Sequence, residues 1–322
     1  MNNDILLGWL ATEMEPPIIP GYVVRDWRAW REWTMDALGE QCRAVEVLVL
    51  GRRSPTLPAA LVKNRGRLRY VCHMYGTIRP YISRAFIEDG LLVTNWGDAV
   101  ANVAEGAMAL MLCLLKQLPA MNAAVQGGPD QRIKLAYPAT LADREVGLYG
   151  YGPIGRHTAR MLAPFGARIS IYDPHATDVP AEIRRCATLR ELFASCQIIS
   201  IHCGLNDQTL GSVTRELLEL LPVGGIVINT ARGPIVDEPA LAALVRSGRI
   251  LAGLDVIGNE SNWPGSPVAG LTGAILTGHG VATTGGANRR GLPPHAARNL
   301  AAYARGEPLT AVITAAQYDL KT

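Results

Sequence analysis

Short apolar runs alternate with amphipathic stretches along most of the chain, and this pattern predicts its secondary structure. In the first hundred residues the apolar runs cover residues 45–50, 69–73 and 91–94. A second series covers residues 145–149, 167–172, 198–202, 225–229, 251–256 and 274–277. Strands that alternate with helical stretches are typical of βαβ units, which build parallel sheets. The second series predicts a doubly wound parallel sheet.

Two segments predict helices with a buried face. Trp27, Trp30 and Trp33 recur every three residues in a predicted helix over residues 27–38, with Asp26 as its N-cap. Their shared face predicts a contact with the core or with another subunit. Residues 103–118 are rich in Ala, Leu and Met. Because a membrane span needs about 20 apolar residues, we expect a buried helix there instead.

The bulk composition favours an enzyme that acts on a small molecule. A chain of 322 residues exceeds what one hydrophobic core usually organises, so two domains are expected. Residues 119–140 are richer in Gly, Pro and polar residues and predict a hinge or linker. The 31 Lys and Arg residues nearly balance the 28 Asp and Glu residues, which gives no strong field toward nucleic acid or an anionic membrane. We therefore expect neither of those as a partner.

The cysteines and the amino terminus predict the compartment. Six cysteines lie scattered in apolar stretches, without the spacing of metal ligands or the density of a disulfide scaffold. We expect reduced core cysteines and no metal site. The first residues, Met-Asn-Asn-Asp, lack the basic region and apolar run that mark a signal peptide. A cytoplasmic protein is expected.

The strongest motif is a glycine-rich turn between a predicted strand and a predicted helix. Gly150, Gly152 and Gly155 form the pattern Gly-x-Gly-x-x-Gly, with Pro153 suited to the first helical turn. The first glycine permits a tight turn, the second lets the backbone approach a pyrophosphate, and the third lets the helix pack on the strand. Free N–H groups at the helix start then face the phosphates.

An acidic residue at the end of the next strand indicates that this motif binds a dinucleotide. Asp173 lies eighteen residues beyond Gly155, where a carboxylate can accept hydrogen bonds from the adenosine ribose hydroxyls. A carboxylate there repels a 2′-phosphate, and Pro174 and His175 follow it rather than an arginine. NAD is therefore predicted in preference to NADP.

Three further stretches carry a resemblance to a known family. Asn-Thr-Ala-Arg-Gly-Pro-Ile-Val-Asp-Glu-Pro-Ala-Leu at 229–241 resembles the signature of the D-isomer-specific 2-hydroxyacid dehydrogenases. Gly-Arg-Ile-Leu-Ala-Gly-Leu-Asp-Val at 248–256 and Leu-Thr-Gly-His at 276–279 are also similar to the family. The resemblance runs from about Arg69 to Val312 and is weak before that.

The resemblance implies a fold and a reaction. It implies an α/β chain of two doubly wound parallel-sheet domains around a cleft. A Rossmann NAD domain, residues 102–294, is inserted in a flavodoxin-like substrate domain, residues 1–101 plus 295–322. The implied activity is the NAD-dependent interconversion of a 2-oxo acid and an (R)-2-hydroxy acid by a homodimer.

The family implies catalytic roles for Arg232, Glu260 and His279, and the chemistry independently asks for these residue types. Hydride delivery to a ketone builds an alkoxide, and histidine can give and recover a proton near neutrality. A carboxylate such as Glu260 stabilises the imidazolium. Arg232 offers a planar fork of donors for a substrate carboxylate and the adjacent carbonyl oxygen. Taken singly, each arginine or histidine has a structural alternative as an ion pair or a core residue.

Other positions are carried over from the family as cofactor or substrate contacts. Asp255 matches an acid that contacts the nicotinamide carboxamide, and Val103 is expected to abut the nicotinamide. Tyr75 and Gly76 lie where family members hold the substrate carboxylate with backbone N–H groups, as an anion nest does. The remaining cofactor positions are Pro153, Ile154, His202, Thr209, Thr230 and Ala231. For His202, a packing role is an equal alternative.

The chain departs from the family pattern at several positions. Gly204 and Gly278 stand where the family usually has proline, and Tyr75 and Trp96 add bulk to the expected substrate region. Greater backbone freedom is expected at both glycines. Arg52, Arg53 and Arg79 can meet a second anionic group of the substrate, but each taken singly is expected to lie solvated at the surface, because charged residues are rarely fully buried.

Two rival functions stay open at this level. An NAD(H)-sensing binding protein similar to the family's corepressors would keep the fold and the three reactive side chains. A dehydrogenase of a non-hydroxyacid donor, such as phosphite or formate, would use the same scaffold. Neither rival has a sequence feature of its own.

Overall fold

The chain divides into two compact units. The computed structural model describes residues 5–98, 100–126, 139–282 and 292–319. Unit 1 comprises Met1–Ala99 and Thr284–Thr322, and unit 2 comprises Val100–Thr283. These boundaries differ by a few residues from the predicted 101/102 and by about ten from the predicted 294/295.

All ladders between the named strands are parallel, so the predicted fold class is confirmed. Unit 1 has the strand order β2-β1-β3-β4-β5, which is the flavodoxin-like order. Its strands are β1 (Ile5–Trp9), β2 (Tyr22–Asp26), β3 (Val47–Leu50), β4 (Tyr70–His73) and β5 (Leu92–Thr94). The sequence pattern predicted the last three and missed the first two.

Unit 2 contains a seven-stranded sheet of the described residues, in the order β12-β11-β10-β9-β6-β7-β8. This is the doubly wound Rossmann arrangement with one added edge strand. Its strands are β6 (Glu145–Tyr149), β7 (Arg168–Tyr172), β8 (Arg184–Arg185), β9 (Ile198–Ile201), β10 (Gly225–Asn229), β11 (Ile250–Leu254) and β12 (Ala274–Leu276). Because the strands are parallel, their carboxyl ends meet at one edge of the sheet.

Helices pack against the sheets, and each unit contains two hydrophobic cores. In chain order they are α1 (Met35–Ala44), α2 (Ala60–Lys63), α3 (Arg84–Glu88), α4 (Ala101–Leu115), α5 (Leu118–Gln126), α6 (Pro153–Leu162), α7 (Leu189–Ser195), α8 (Arg215–Leu218), α9 (Glu238–Arg246), α10 (Pro294–Ala304) and α11 (Ala315–Tyr318). Helix α10 packs in unit 1, where the Tyr22 hydroxyl donates to the Leu300 carbonyl at 2.7 Å.

The apolar helix predicted at 103–118 is α4, most of whose residues are buried. Within the described ranges no single helix is long and apolar enough to span a membrane. Helices α4 and α5 satisfy that criterion only as a pair bent by 51°. The predicted hinge at 119–140 begins inside α5 and was wrong there, while residues 127–138 lie outside the described residues.

The helix predicted over 27–38 with Asp26 as its N-cap was wrong before residue 35, where only residues 30–32 form a single 3-10 turn, and right over residues 35–38. Asp26 ends β2, and the Trp27 backbone N–H continues the strand pairing by donating to the Trp9 carbonyl at 2.9 Å. The Trp27 ring packs over Gly8, where a Cβ would lie 2.2 Å from it. Tertiary packing therefore overrides the helical spacing, and α1 begins only after Thr34. The predicted core contact is found in part: Trp27 is buried and meets Trp33 edge to face at 5.7 Å, while Trp30 and Trp33 are half-buried against the same core.

The corrected helix start gives a stability prediction. The Thr34 side chain accepts from the Ala37 backbone N–H at 3.2 Å, so Thr34→Ala removes a cap and lowers the free energy of unfolding by ~1 kcal/mol. Asp26 only pairs with Arg28 at the surface, so Asp26→Ala changes it by less than about 0.5 kcal/mol. Urea unfolding of both variants measures this, and a larger loss in Asp26→Ala would contradict it.

Candidate active site

The glycine turn is tightly packed on one side and open on the other. Gly150 has a φ of +98°, and a Cβ on it would lie 2.5 Å from the Cys203 nitrogen. A Cβ on Gly155 would lie 2.3 Å from the Gly150 carbonyl oxygen. Around a Cβ on Gly152, in contrast, no atom of the described chain lies within 4 Å. That open space, at the N-cap of α6, fits a pyrophosphate.

Pro153 and Ile154 form the first turn of α6, as the fingerprint requires. Pro153 is its first residue, and the Ile154 carbonyl accepts from the Thr158 hydroxyl at 3.0 Å inside the helix. The first N–H groups of a helix have no partner within it, so those at the start of α6 can bind an anion.

Asp173 lies directly against the glycine turn. Its Oδ2 accepts from the Tyr151 backbone N–H at 2.7 Å, and its Oδ1 accepts from the His175 backbone N–H at 2.8 Å. An ionised carboxylate has about four acceptor sites, so room remains for ribose hydroxyls. Asp173 thus holds the turn, and its contact with the adenosine ribose stays a prediction.

Buried polar atoms with no hydrogen-bond partner in the described chain lie just after β9 and just after β10. His202 Nε2 contacts the Ser200 hydroxyl at 2.9 Å, while its buried Nδ1 has no partner in the described chain. Burial lowers the pKa of His202 to about 3, so the ring is neutral. The Thr230 hydroxyl is likewise buried without a partner among the described residues, next to buried Ala231. Orphaned buried groups of this kind fit a polar ligand.

Thr209 has a structural role in the loop after β9. Its hydroxyl donates to the Gly204 carbonyl at 2.6 Å and accepts from the Asn206 backbone N–H at 2.8 Å. It closes the turn that starts at Gly204, one of the two positions where a family proline is missing. Its contact with the cofactor stays a prediction.

The structure brings His279 and Glu260 together. His279 Nδ1 lies 2.7 Å from Glu260 Oε2, and about two fifths of each side chain is exposed. Since a carboxylate accepts, Nδ1 carries the proton of this hydrogen bond and Nε2 is the nitrogen left for a substrate. The pair has the arrangement that a general acid and its supporting carboxylate need.

Asp255 anchors the loop that carries His279. It is buried at the end of β11, and its Oδ1 accepts from the Thr277 hydroxyl at 2.6 Å, the Gly280 N–H at 2.9 Å and the Val281 N–H at 3.0 Å. Its carbonyl accepts from the His279 N–H at 2.6 Å. This anchoring role was not predicted from the sequence. The predicted contact with nicotinamide stays a prediction.

Arg232 lies in the turn after β10. Its Nη1 donates to the Ala231 carbonyl at 2.5 Å. Asn229 shapes the turn, because its Oδ1 accepts from the Ala231 N–H at 3.0 Å and its Nδ2 donates to the Arg232 carbonyl at 3.0 Å. Gly233 touches the next loop so closely that a Cβ would lie 2.0 Å from the Ile257 carbonyl. Sequence reasoning missed Asn229 and Gly233 as individual residues, although both lie in the 229–241 motif.

Helix α4 adjoins the segment that follows His279. The Asn102 side-chain N–H donates to the Ala282 carbonyl at 2.6 Å, and a Cβ on Gly106 would meet the Val281 side chain at 2.5 Å. Val103 is buried between these two contact points on α4. Its place next to a nicotinamide stays a prediction.

Tyr75 and Gly76 follow β4 in unit 1. The Trp96 indole covers Gly76, where a Cβ would lie 2.5 Å from Nε1, and the Asn95 side chain donates to the Gly76 carbonyl at 2.7 Å. The Arg52 guanidinium stacks 4.6 Å from the centre of the Tyr75 ring. Burial raises the pKa of Tyr75. The loop is therefore ordered by aromatic packing, and only glycine fits beneath Trp96.

The three candidate arginines of unit 1 differ in their surroundings. Arg79 lies 3.7 Å from the Asp319 carboxylate, as in a surface ion pair. Arg52 and Arg53 are exposed in the loop after β3. Among the described residues, no group of three or more His, Cys, Asp or Glu side chains is arranged to hold a metal ion.

Comparison with known proteins identifies the family. The model of the D-isomer specific 2-hydroxyacid dehydrogenase NAD-binding domain matches residues 108–280, and the chain belongs to this family. A glyoxylate/hydroxypyruvate reductase of Arabidopsis thaliana is 32% identical over 224 residues, which are 68% of either chain. A D-3-phosphoglycerate dehydrogenase of Mycobacterium bovis is 33% identical over 75% of this chain, which spans only 46% of that protein.

Solved structures share the fold at lower sequence identity. The D-mandelate dehydrogenase of Rhodotorula graminis is 19% identical, with a TM-score of 0.81 over 96% of this chain and 97% of that one. An NADPH-dependent glyoxylate/hydroxypyruvate reductase of Sinorhizobium meliloti, in complex with NADP and malonate, is 23% identical, with a TM-score of 0.74 over 99% of both chains.

Gly278, which stands where the family usually has proline, gives a testable prediction about the loop that carries His279. Gly278 has a φ of +65° and His279 one of +57°. Proline holds φ at about −65°, so Gly278→Pro forces this loop out of place at a cost of about 1–3 kcal/mol. We expect a lower melting temperature and less activity than in Gly278→Ala, the control that bears the cost of a side chain at positive φ but does not have its φ locked by a ring. Full stability and activity of Gly278→Pro would show that the loop adopts another conformation.

Proposed function

We propose that this protein is an NAD-dependent dehydrogenase that reduces a 2-oxo acid to an (R)-2-hydroxy acid and catalyses the reverse reaction. The observation that carries the proposal is the 2.7 Å contact between His279 and Glu260 on a loop anchored by Asp255. This pair lies at the carboxyl edge of the same sheet whose first βα turn is the open glycine turn. The names of the relatives, reductases and dehydrogenases of 2-hydroxy acids, support the same reaction.

Each reactive side chain has a defined task in this reaction. Bound NADH supplies the hydride. Arg232 holds the substrate carboxylate and polarises the keto oxygen. His279 gives its Nε2 proton to the oxygen as negative charge develops there, and Glu260 stabilises the imidazolium before transfer. Anion binding by the backbone N–H groups after β4, at Tyr75 and Gly76, is also proposed.

The proposed cofactor is NAD rather than NADP. The Asp173 carboxylate, held in place by two backbone N–H groups, would repel a 2′-phosphate. The neighbour from Sinorhizobium meliloti binds NADP, so the family fold alone does not decide the preference. The choice for NAD therefore rests on Asp173 and on the absence of an arginine directly after it.

Substrate, assembly and location are further parts of the proposal. Glyoxylate and hydroxypyruvate, named for the relatives, are the first candidate substrates. Leu118 and Val125 are exposed apolar side chains on α5, which supports contact with a second copy in a homodimer. Six free cysteines agree with a reducing compartment such as the cytoplasm. The relatives do not favour a corepressor-like role or a phosphite or formate donor.

A screen of NADH oxidation tests the reaction. We expect turnover with one or more of the small, branched, aromatic or dicarboxylic 2-oxo acids, and an (R) product wherever the product is chiral, which glycolate from glyoxylate is not. His279→Ala should lower kcat by about 10²–10⁴-fold, as expected when a general acid is lost. NADH binding, followed by fluorescence, should be unchanged. Unchanged turnover in this variant would refute the assignment of His279.

Replacement of Asp173 tests the cofactor. Asp173→Ala removes the repulsion of a 2′-phosphate, so the ratio of kcat/KM for NADH over NADPH should fall. Asp178→Ala, which changes an exposed acid on the following segment, should leave the ratio as it is. A wild-type enzyme that already prefers NADPH would contradict the proposed cofactor.

A further inference from the structure

The Glu238 carboxylate makes its hydrogen bonds outside the helix to which the residue belongs. Glu238 is the first residue of α9, but the helix is capped by Asp237, whose Oδ1 accepts from the Ala240 N–H at 2.9 Å. The Glu238 carboxylate instead accepts from the Gly258 backbone N–H at 2.6 Å through Oε2, and from the Ser266 hydroxyl through Oε1. In the described part of the chain it forms no ion pair with a basic residue.

These two contacts hold the start and the end of one loop. The loop from Gly258 to Ser266 leaves β11 and carries Glu260 near its beginning. Two turns stiffen it internally: Asn259 Oδ1 accepts from the Ser261 N–H at 3.1 Å, and Asn262 Oδ1 accepts from the Gly265 N–H at 3.2 Å. One carboxylate thus closes the loop, and Glu260 is presented from a segment fixed at both ends.

The segment of chain that leads to Glu238 also carries Arg232. Gly233, next to it, packs against the Ile257 carbonyl, just before the loop begins. A Cβ on Gly258 would approach Glu238 Oε2 to 3.1 Å. Residues 232–238 therefore touch the base of the loop at two places. Displacement of Glu238 would release Glu260 while the Gly233 contact remains.

We propose that Glu238 is a positioning residue that holds Glu260 against His279. This inference rests on the proposed function, in which the Glu260–His279 pair supplies the proton. Without Glu238, the contacts with the Gly258 backbone N–H and the Ser266 hydroxyl are lost and Glu260 moves relative to the imidazole. A displacement of about 1 Å at a reacting group can lower turnover by about 10²-fold, so such a contact is large enough to matter.

A double-mutant cycle tests whether Glu238 acts through Glu260. We expect Glu238→Ala to lower kcat by about 10–10²-fold with little change in NADH binding. In a Glu260→Ala background the same change should cost less than about twofold, because the interaction it supports is already gone. Equal losses in both backgrounds, or no loss in either, would overturn the proposal.

Graded and control variants separate positioning from folding. Glu238→Gln keeps one acceptor oxygen and Ser266→Ala removes one contact, so both should lie between wild type and Glu238→Ala. Glu216→Ala, which changes another acid in the first turn of a helix, should have wild-type activity. These milder variants keep the test decisive if Glu238→Ala folds poorly. Wild-type turnover in both of them would overturn the proposal.

A measurement without substrate or cofactor distinguishes this proposal from the proposed function. The ¹⁵N chemical shift of His279 Nδ1, assigned by its absence in His279→Gln, reports the hydrogen bond to Glu260. It should change in Glu238→Ala in the same direction as in Glu260→Ala. An unchanged shift would overturn the positioning role. If no 2-oxo acid is reduced, the proposed function fails while this shift still decides the role of Glu238.

Discussion

The candidate active site depends above all on the buried carboxylate of Asp255. A buried charge is costly unless its acceptor sites are filled, and three donors from residues 277–281 converge on Oδ1. These bonds satisfy the carboxylate and at the same time fold the loop after β12. His279 takes its position from that loop, and its own N–H is bonded to the Asp255 carbonyl. The requirement to satisfy one buried acid therefore places the proposed proton donor.

The second constraint is the close approach of one backbone segment to another, which glycine permits at three positions. Gly150, Gly155 and Gly233 each lie where a Cβ would come within 2.5 Å of backbone atoms. Two of these positions make the cofactor turn, and the third lets the Arg232 turn meet the loop of Glu260. Because the strands are parallel, all three lie at the carboxyl edge of one sheet. The common direction of the strands and the lack of side chains at these glycines together bring the parts of the site close to one another.

Most of unit 2 could be predicted because its strands are continuous apolar runs and its turns carry fixed motifs. β1 was not predicted although Ile5–Trp9 is an apolar run with only Gly8 as a break, and β2 was not predicted because it mixes charged with apolar residues. The helix predicted at Trp27 failed because packing over Gly8 outweighs local spacing. Residue types indicated His279 and Glu260 as partners. The anchoring by Asp255 and Glu238 could not be predicted, since it depends on contacts between loops distant in sequence.

The missing proline at Gly278 changes what holds the general acid in place. A proline limits its own φ, so it would stiffen the loop through the chain itself. Here Gly278 and His279 both adopt positive φ, a conformation that costs a non-glycine residue about 1–2 kcal/mol. That cost must be offset by interactions, and the bonds of His279 and its neighbours to Asp255 and Glu260 contribute to this offset. Orientation of the imidazole therefore depends on acceptors supplied by neighbouring loops, more than on the stiffness of its own backbone.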